Sequence, residues 1–268
     1  MNAEDILKLV SKCLDEAPEN RVDEAVAIEP SLVGMRMFDS ALVGVASASD
    51  EWFGRLRDPV VVGPHMCAPE DWLPGAASVV SVFFSFTDEV VRSNAVPGDP
   101  SPQWLHARIE GQTFLDLAMR RLVAELQGAG GDAVAPSIDP RFVSKRGSAT
   151  SNWSERHVAH VCGLGTCGLC AGLITEKGMA GRLGSVVTSL ELVPTERRYT
   201  EPFEWCNRCG ACIARCPSGA VSERGKDHGV CIAHLDEMRK RYAPRYGCGK
   251  CQTRVPCERG VPRARRSE

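Results

Sequence analysis

The strongest constraint on this chain is a run of closely spaced cysteines in the stretch WCNRCGACIARCPSGAV, residues 205–221. The spacing is C-x2-C-x2-C-x3-C-P, and the cysteines are Cys206, Cys209, Cys212 and Cys216. Three thiolates in so tight a loop can bind three irons of one [4Fe–4S] cluster, whereas the fourth, followed by proline, binds the other cluster in two-cluster ferredoxins. The motif therefore predicts a second set of ligands further along the chain.

That second set is present downstream as Cys231, Cys248, Cys251 and Cys257. Eight thiols are the number that two [4Fe–4S] clusters require. The predicted ligands of one cluster are Cys206, Cys209, Cys212 and Cys257, and those of the other are Cys216, Cys231, Cys248 and Cys251. Five residues separate Cys251 from Cys257, and Pro256 precedes Cys257 instead of following it. The last ligand is thus the least regular of the eight.

Two other metal sites are compatible with parts of this pattern. Tetrahedral zinc also takes four cysteines, often as C-x2-C pairs, but zinc modules do not need a third C-x2-C step followed by Cys-Pro, so the spacing favours iron–sulfur. Upstream, CGLGTCGLC places Cys162, Cys167 and Cys170 as in the opening of a plant-type [2Fe–2S] loop, with Cys67 as a candidate fourth ligand. Small buried thiols are the alternative that we favour there.

The composition predicts a cytoplasmic location. The start, MNAEDILKLVSKCLDEA, is acidic and amphipathic and lacks the basic and apolar regions of a signal peptide. No apolar run reaches the roughly 18 residues that a membrane span needs. In a reducing compartment, thirteen cysteines are better explained as metal ligands or redox groups than as disulfides.

Charge is distributed unevenly along the chain. From Thr200 onward there are 14 Lys and Arg against 8 Asp and Glu, whereas the preceding part has 18 against 26. The simple interpretation is a basic segment that pairs with an acidic one. The alternative is a docking face for an acidic electron donor, such as ferredoxin or flavodoxin, or for RNA.

Periodicity predicts helices and strands that alternate up to about residue 195, which is typical of an α/β (α+β) domain. We expect helices at 3–15, 104–127 and 230–245, and a further helix that is capped by Ser154 and stops at Gly163 or Gly165. Strands are expected at 41–47, 78–86 and 132–137, and a strand or hairpin at 181–193. Cysteine density rises after PTERRYTEP, so the domain boundary is predicted near 196–204. The expected domains are residues 1–198 and 199–268.

The stretch SERHVAHVCGLGTCGLCAGLITEKGMAGRLGSVVTSLEL, followed by the eight cysteines, resembles the epoxyqueuosine reductase and reductive dehalogenase superfamily. The positions that carry the resemblance are Glu155, Arg156, Gly163, Leu164, Gly165, Gly184 and Ser185. WLPGAASVVSVFFSF, residues 72–86, resembles an early strand of these proteins. The resemblance covers residues 70–257 and identifies a short, divergent member.

The resemblance implies a nitroreductase-like N-terminal domain with a C-terminal ferredoxin-like module that holds two [4Fe–4S] clusters. It also implies a cobalamin-like corrinoid in the α/β domain, close to one cluster, and a small-molecule or modified-nucleoside substrate. A tRNA partner is supported by the basic end VPRARRSE alone. The alternative is an electron-transfer or assembly partner protein without a catalytic cofactor of its own.

The polar segment DPRFVSKRGSATSNWSERH supplies the candidate active-site residues that the resemblance implies. The catalytic candidates are Asp139, Glu155, Arg156 and His157, and the cofactor-binding candidates are Asn152, Trp153, Gly163, Leu164, Gly165, Gly184 and Ser185. Arg141, Lys145 and Arg146 complete the set. Epoxyqueuosine reductases carry a proton-donating aspartate about six residues before the Glu-Arg pair, where this chain has Ala149. Asp139 could replace it if the loop folds back.

Several of these residues also have structural interpretations. Glu155 and Arg156 could form an ion pair at a helix start, where the helix dipole favours a carboxylate. His157 could donate a proton near neutral pH or be a satisfied helix residue, and with His160 it could form a two-histidine metal site. Gly163 and Gly165 suit either a positive φ or the close approach of a flat cofactor.

Overall fold

The computed structural model describes residues 1–145, 147 and 149–263. Its helices are α1 (Ala3–Glu16), α2 (Glu51–Arg55), α3 (Pro69–Trp72), α4 (Asp88–Ser93), α5 (Pro102–Gly128), α6 (Glu155–Val161), α7 (Ala211–Ala214) and α8 (His228–Tyr242). Its strands are β1 (Phe38–Ser47), β2 (Ser78–Phe86), β3 (Ala133–Val134), β4 (Ser144–Lys145), β5 (Thr150–Ser151), β6 (Gly165–Cys167), β7 (Leu173–Thr175), β8 (Gly181–Thr188), β9 (Val221–Ser222) and β10 (Gly225–Lys226). The fold is therefore a mixture of helices and strands, as predicted.

The core is a sheet with the strand order β1-β2-β8-β3, and every neighbouring pair in it is antiparallel. Strand β2 is buried along its whole length. Val80, Val82 and Phe84 pack in the same apolar cluster as residues of α1 and α5. Val79 on the other face packs with Val158 of α6. A continuous apolar run suits a strand that is covered on both faces.

The long helices begin at capping residues that the sequence supplies. In α1, Asn2 and Asp5 form a capping box, and in α5 the Ser101 hydroxyl accepts a hydrogen bond from the Trp104 amide. Helix α8 begins after Asp227, whose carboxylate accepts from the Val230 amide. The predicted helices at 3–15, 104–127 and 230–245 are confirmed, each with slightly different ends.

One local prediction is wrong, and another extends too far. Ser154 precedes α6 but makes no capping hydrogen bond, because its hydroxyl lies 2.7 Å from Nδ1 of His157 instead. The segment predicted as a strand or hairpin over 181–193 does form β8, but the strand ends at Thr188. The helix that carries Glu155 does end near the predicted glycine, since Gly163 follows it with a φ of 86°.

The cysteine-rich segment docks onto α4 and α5. Asn94, which caps the end of α4, donates a hydrogen bond to the Cys248 carbonyl at 2.9 Å and accepts one from the Thr253 hydroxyl at 3.0 Å. The buried Lys250 amine donates to the Val96 carbonyl at 2.7 Å. These bonds hold the end of the cysteine-rich segment against the sheet domain, which is the part of the chain that contains the β1-β2-β8-β3 sheet. The boundary near residues 196–204 stays a prediction.

Within the described residues, no helix is both long enough and apolar enough to cross a membrane.

We predict that Gly44→Ala destabilises the fold. Gly44 lies in β1, where a Cβ atom would come within 2.2 Å of the Cys162 backbone carbonyl oxygen. Overpacking of this kind typically costs about 1–3 kcal/mol. The matched control is Gly54→Ala in α2, where a Cβ would meet nothing within 4 Å. Anaerobic denaturant titrations should show a lower free energy of unfolding for the first variant and no loss for the second. Equal stabilities would contradict the prediction.

Candidate functional site

A cleft of about 700 Å³ lies between the sheet domain and the cysteine-rich segment. Its walls include Phe83 and Arg182 of the sheet, Arg108 of α5 and Glu155 of α6. The wall opposite them contains four cysteines, namely Cys216, Cys231, Cys248 and Cys251. The volume is in the range of sites for small molecules and cofactors.

The other four predicted ligands, Cys206, Cys209, Cys212 and Cys257, line a separate and smaller pocket. Local backbone geometry turns this loop tightly, because Arg208 and Gly210 have positive φ angles of 51° and 78°. The Asn207 side chain accepts a hydrogen bond from the Cys209 amide at 3.2 Å. The eight cysteines thus divide between two pockets in the two sets that their order predicts.

The donor chemistry of each set suits an iron–sulfur cluster, because each iron of a cubane is held by one cysteine thiolate. Apolar side chains, among them Leu169, Ile174 and Met179, surround the first set. Among the described residues, no three His, Cys, Asp or Glu side chains are grouped around a position for a single metal ion.

Cys170, from the CGLGTCGLC stretch, is a ninth cysteine in this region, a position that its sequence context did not predict. It lines the same pocket as the first set, and its sulfur lies 3.6 Å from the Met179 sulfur. It is also within hydrogen-bonding reach of Cys212 and Cys251, one from each set. The contact depends on the turn after β6, which brings residues distant in sequence together.

The alternative third cluster is not assembled. Cys162 points its thiol at the Val79 carbonyl 3.5 Å away, in one apolar cluster. Cys167 packs in a second cluster and Cys170 in a third. Burial raises the pKa of the Cys167 thiol to about 11, which is typical of an inert buried cysteine. The interpretation of these residues as buried thiols fits the structure.

Glu155, the first residue of α6, carries an unpaired carboxyl group. Both of its carboxylate oxygens are buried and have no hydrogen-bond partner among the described residues, so the expected ion pair with Arg156 does not form. Burial raises the pKa of this carboxyl to about 7, although the nearby Ser185 and Ser137 hydroxyls partly offset that rise. A carboxyl with a pKa near neutrality is suited to proton transfer. Arg156 is exposed and lines the same cleft.

The two histidines of α6 do not form a metal site. Nδ1 of His160 lies 2.7 Å from the Gly165 carbonyl oxygen, and its ring stacks between Trp52 and Tyr199 at 5.0 and 4.8 Å. Burial and the nearby Arg156 charge lower the pKa of His157 to about 4. His157 is therefore neutral at physiological pH.

Asp139 and Asn152 lie outside the cleft lining and fix the loop before α6. Asp139 forms an ion pair with Arg141 at 2.9 Å, which holds the pKa of the Asp139 carboxyl below its usual value. The Asn152 side chain accepts from the Val143 amide at 2.8 Å and donates to the Arg141 carbonyl at 3.0 Å. Lys145 lies in β4, and Arg146 lies outside the described residues.

The remaining cofactor-binding candidates divide into two groups. Trp153 lines the cleft, and its indole nitrogen donates to the Ser185 hydroxyl at 2.9 Å. Gly163, Leu164, Gly165 and Gly184 are not among the lining residues. A Cβ at Gly165 would lie 1.9 Å from the Ile174 carbonyl oxygen, and one at Gly184 would lie 2.8 Å from the Met119 sulfur. These glycines therefore permit close packing of the protein itself.

Arg182 is a cleft residue that sequence reasoning missed. Its Nη2 atom donates to the Gln112 side-chain oxygen, but its buried Nε atom has no partner among the described residues. Burial and the neighbouring Arg108 charge lower the pKa of Arg182 to about 9. The alternation of side chains along β8 could have placed Arg182 on a sheet face, but not next to α5.

Fold and site together define a mixed α/β protein in which a cysteine-rich segment forms one wall of a polar cleft. No family model matches the chain. The chain is 26% identical over 205 residues to epoxyqueuosine reductase of Bacillus cereus, which covers 72% of this chain and 51% of the relative. It is 27% identical over 206 residues to the Staphylococcus aureus enzyme of the same name, with coverages of 72% and 51%.

Solved structures show the same fold. Epoxyqueuosine reductase from Streptococcus thermophilus superposes with a TM-score of 0.52 at 16% identity, over 84% of this chain and 64% of that one. A reductive dehalogenase described with a mechanism for B12-dependent dehalogenation gives a TM-score of 0.55 at 16% identity, over 82% and 30%. The resemblance of the chain to the superfamily of epoxyqueuosine reductases and reductive dehalogenases is thus confirmed. The chain spans about half the length of the curated relatives it matches.

We predict that Glu155→Gln changes how stability depends on pH. The folded protein holds the Glu155 proton up to a pKa of about 7, whereas the usual value is 4.5. Ionisation therefore opposes folding, and wild-type stability falls as pH rises from about 4.5 to about 7. The variant lacks this loss and should gain up to about 3 kcal/mol relative to wild type over that interval.

Denaturant titrations at several pH values measure this difference. The matched control is Glu70→Gln at an exposed position, which should stay within about 0.5 kcal/mol of wild type throughout. Parallel pH curves for wild type and Glu155→Gln would show that the buried carboxyl does not titrate as the structure implies.

Proposed function

We propose that this chain is an iron–sulfur oxidoreductase that relays electrons through two [4Fe–4S] clusters into the cleft of its α/β domain. The observation that carries the proposal is the placement of the second cysteine set. Cys216, Cys231, Cys248 and Cys251 line the same cleft as the unpaired Glu155 carboxyl. An electron donor and a proton donor would therefore reach one ligand from different walls.

The domain division that accompanies this proposal is a nitroreductase-like domain over residues 1–198 and a ferredoxin-like module over 199–268. Cys206, Cys209, Cys212 and Cys257 would hold the outer cluster, and the other four cysteines would hold the cluster beside the cleft. Such clusters supply reversible one-electron transfer when bound. The outer cluster would receive electrons from a donor such as ferredoxin or flavodoxin.

The cleft suits a corrinoid or another large polar cofactor. The Glu155 oxygens and the Arg182 Nε atom are buried polar groups without partners in the described part of the chain. Buried polar groups of this kind are normally satisfied, so they are suited to a ligand that brings both donors and acceptors, as the amide-rich rim of a corrinoid does. The chemistry that a corrinoid supplies when bound is electron transfer to or from cobalt.

The side chains around the ligand have separate roles in this proposal. Ala149 lines the cleft at the position where the resemblance implies a proton-donating aspartate, and Asp139 is held by Arg141. Glu155 therefore takes the role of proton donor. Trp153, fixed by its hydrogen bond to Ser185, lines the same cleft as that carboxyl. The substrate is a small molecule or a modified nucleoside.

Two parts of the proposal rest on the sequence alone. The cytoplasmic location follows from composition, and a tRNA partner follows from the basic C-terminal end. Residues 264–268 of that end lie outside the described residues.

The second candidate is an electron-transfer or assembly partner that lacks its own catalytic cofactor. It is favoured by the replacement of the expected aspartate by Ala149. Metal analysis of anaerobically purified protein separates the two functions. About eight irons with stoichiometric cobalt or flavin supports the reductase. About eight irons with neither supports the partner protein, and zinc alone contradicts both.

We predict that Cys257→Ala lowers the iron content from about eight to about four per chain, because it removes one ligand of the outer cluster. Cys170→Ala is the matched control, since Cys170 lines the same pocket but lies outside both ligand sets. Its iron content should equal that of wild type. Iron analysis together with electron paramagnetic resonance of the reduced proteins measures both. The opposite result, with iron lost from Cys170→Ala alone, would exchange the two assignments.

A further inference from the structure

The hairpin formed by β9 and β10 lies beside the second cysteine set. It follows Cys216 closely in the chain, and its register pairs Lys226 with Val221. Val221 packs in one apolar cluster with Cys216 and Cys251, and Lys226 lines the same cleft as these two cysteines. The hairpin therefore brings a lysine side chain near two predicted ligands of the cluster beside the cleft, which we call the inner cluster.

The charge of Lys226 acts on this set of cysteines. Hydrogen bonding with Cys170 and burial raise the pKa of the Cys251 thiol, and the Lys226 ammonium opposes that rise. The ammonium also lies close enough to act on Cys170. Asp227, the next residue in the chain, uses its carboxylate to accept a hydrogen bond from the Val230 amide at 3.0 Å. Because a positive charge stabilises a nearby negative one, Lys226 favours added negative charge at the inner set.

Cys216 lies in a loop that directs several hydrogen-bond donors at its sulfur. The Ser218 hydroxyl lies 3.6 Å from the Cys216 sulfur. Burial raises the pKa of the Cys216 thiol, but hydrogen bonds from the Ser218 hydroxyl and from the Ser218, Ala220 and Val221 amides lower it below its usual value. Hydrogen bonds to the ligand sulfurs and the net charge nearby are among the features that set the reduction potential of an iron–sulfur cluster.

The surroundings of the first cysteine set are less favourable to negative charge. Its pocket is lined by the apolar side chains of Leu169, Ile174 and Met179. Burial, followed by the neighbouring Cys170 and Cys206 thiols, raises the pKa of Cys257 to about 12. Arg208 belongs to the same loop, but its side chain is exposed, so that solvent screens its charge. The outer cluster therefore gains less stabilisation of added negative charge than the inner one.

We propose that Lys226 and Ser218 raise the reduction potential of the inner cluster above that of the outer cluster. Reduction adds one negative charge to a cluster, and the Lys226 ammonium and the Ser218 hydroxyl both stabilise that charge. One electron that ferredoxin or flavodoxin delivers to the outer cluster would then leave it, which oxidises it again, and reduce the inner cluster beside the cleft. The inference rests on the proposed function for the presence of both clusters, but its test measures potentials and not turnover.

Redox titration of anaerobically purified, iron-loaded protein measures the two potentials, with electron paramagnetic resonance of the reduced clusters as the readout. The signal that survives in Cys257→Ala identifies the inner cluster, since this variant lacks a predicted ligand of the outer one. At a fixed potential, Lys226→Gln should lower the ratio of reduced to oxidised inner cluster about threefold or more. Ser218→Ala should lower the same ratio by a smaller factor. The ratio for the outer cluster should stay unchanged in both variants.

Two further variants serve as controls. Lys226→Arg keeps the positive charge, so its inner cluster should titrate close to the wild-type potential. Lys240→Gln removes a lysine charge elsewhere on the surface, since Lys240 is exposed on α8 and pairs with Glu237 at 2.7 Å. Both of its clusters should titrate as in wild type.

An inner-cluster potential that is equal in Lys226→Gln and wild type, or lowered as much in Lys226→Arg, would overturn the role of Lys226. A wild-type inner cluster with the lower of the two potentials would overturn the direction of transfer. If Lys226→Gln loses iron, Ser218→Ala decides, because it leaves Lys226 and every cysteine in place, and an unchanged inner potential there would overturn the proposal. Unchanged potentials with about eight irons present leave the proposed function standing, whereas wild type without iron overturns the proposed function and this inference with it.

Discussion

The contact between Gly249 and the Trp104 ring is the constraint on which the cleft depends. Gly249 has a φ of 66°, and a Cβ there would lie 2.0 Å from the indole, so both conformation and space require glycine. Cys248 and Cys251 lie on either side of this contact. The hydrogen bonds of Asn94 and Lys250 lock the same segment onto the end of α4. One close packing contact thus sets how far the cysteine wall stands from the sheet domain.

Much of the fold could be predicted because its main elements have strong and unambiguous patterns. Helix α5 carries a regular apolar stripe and a serine cap, and β2 is a continuous run of apolar and small residues bounded by glycine and aspartate. The pairing of these elements was not predictable in the same way, because register and sheet order depend on contacts between distant segments. Ser154 shows the limit of local reasoning, since the neighbouring His157 competes for its hydroxyl.

The candidate site could likewise be predicted where local sequence patterns define it, but not where contacts between distant segments do. The cysteine sets follow from spacing, because three cysteines of the tight run can bind one cluster, whereas the fourth, before proline, binds the other. Glu155 was a candidate from its place in the resemblance, but its unpaired state depends on burial that the sequence does not encode locally. Arg182 was missed as a cleft residue, and the place of Cys170 beside the first cysteine set was not predicted, because each depends on residues far along the chain. In the Gly-Leu-Gly turn, by contrast, a motif that suggested cofactor binding reflects the close packing of Gly165 against Ile174.

The order of the cysteines along the chain has a mechanical consequence. Each set combines cysteines in or next to α7 with cysteines beyond α8, and the second set also includes Cys231 of α8. A bound cluster would therefore close the intervening chain into a loop. Closing such loops removes conformational freedom from the unfolded chain, and ligand-bound metal then contributes directly to folding. The cluster held by Cys216, Cys231, Cys248 and Cys251 would also hold one wall of the cleft in place. Occupancy of the cleft and retention of that cluster would therefore be thermodynamically linked, each strengthening the other.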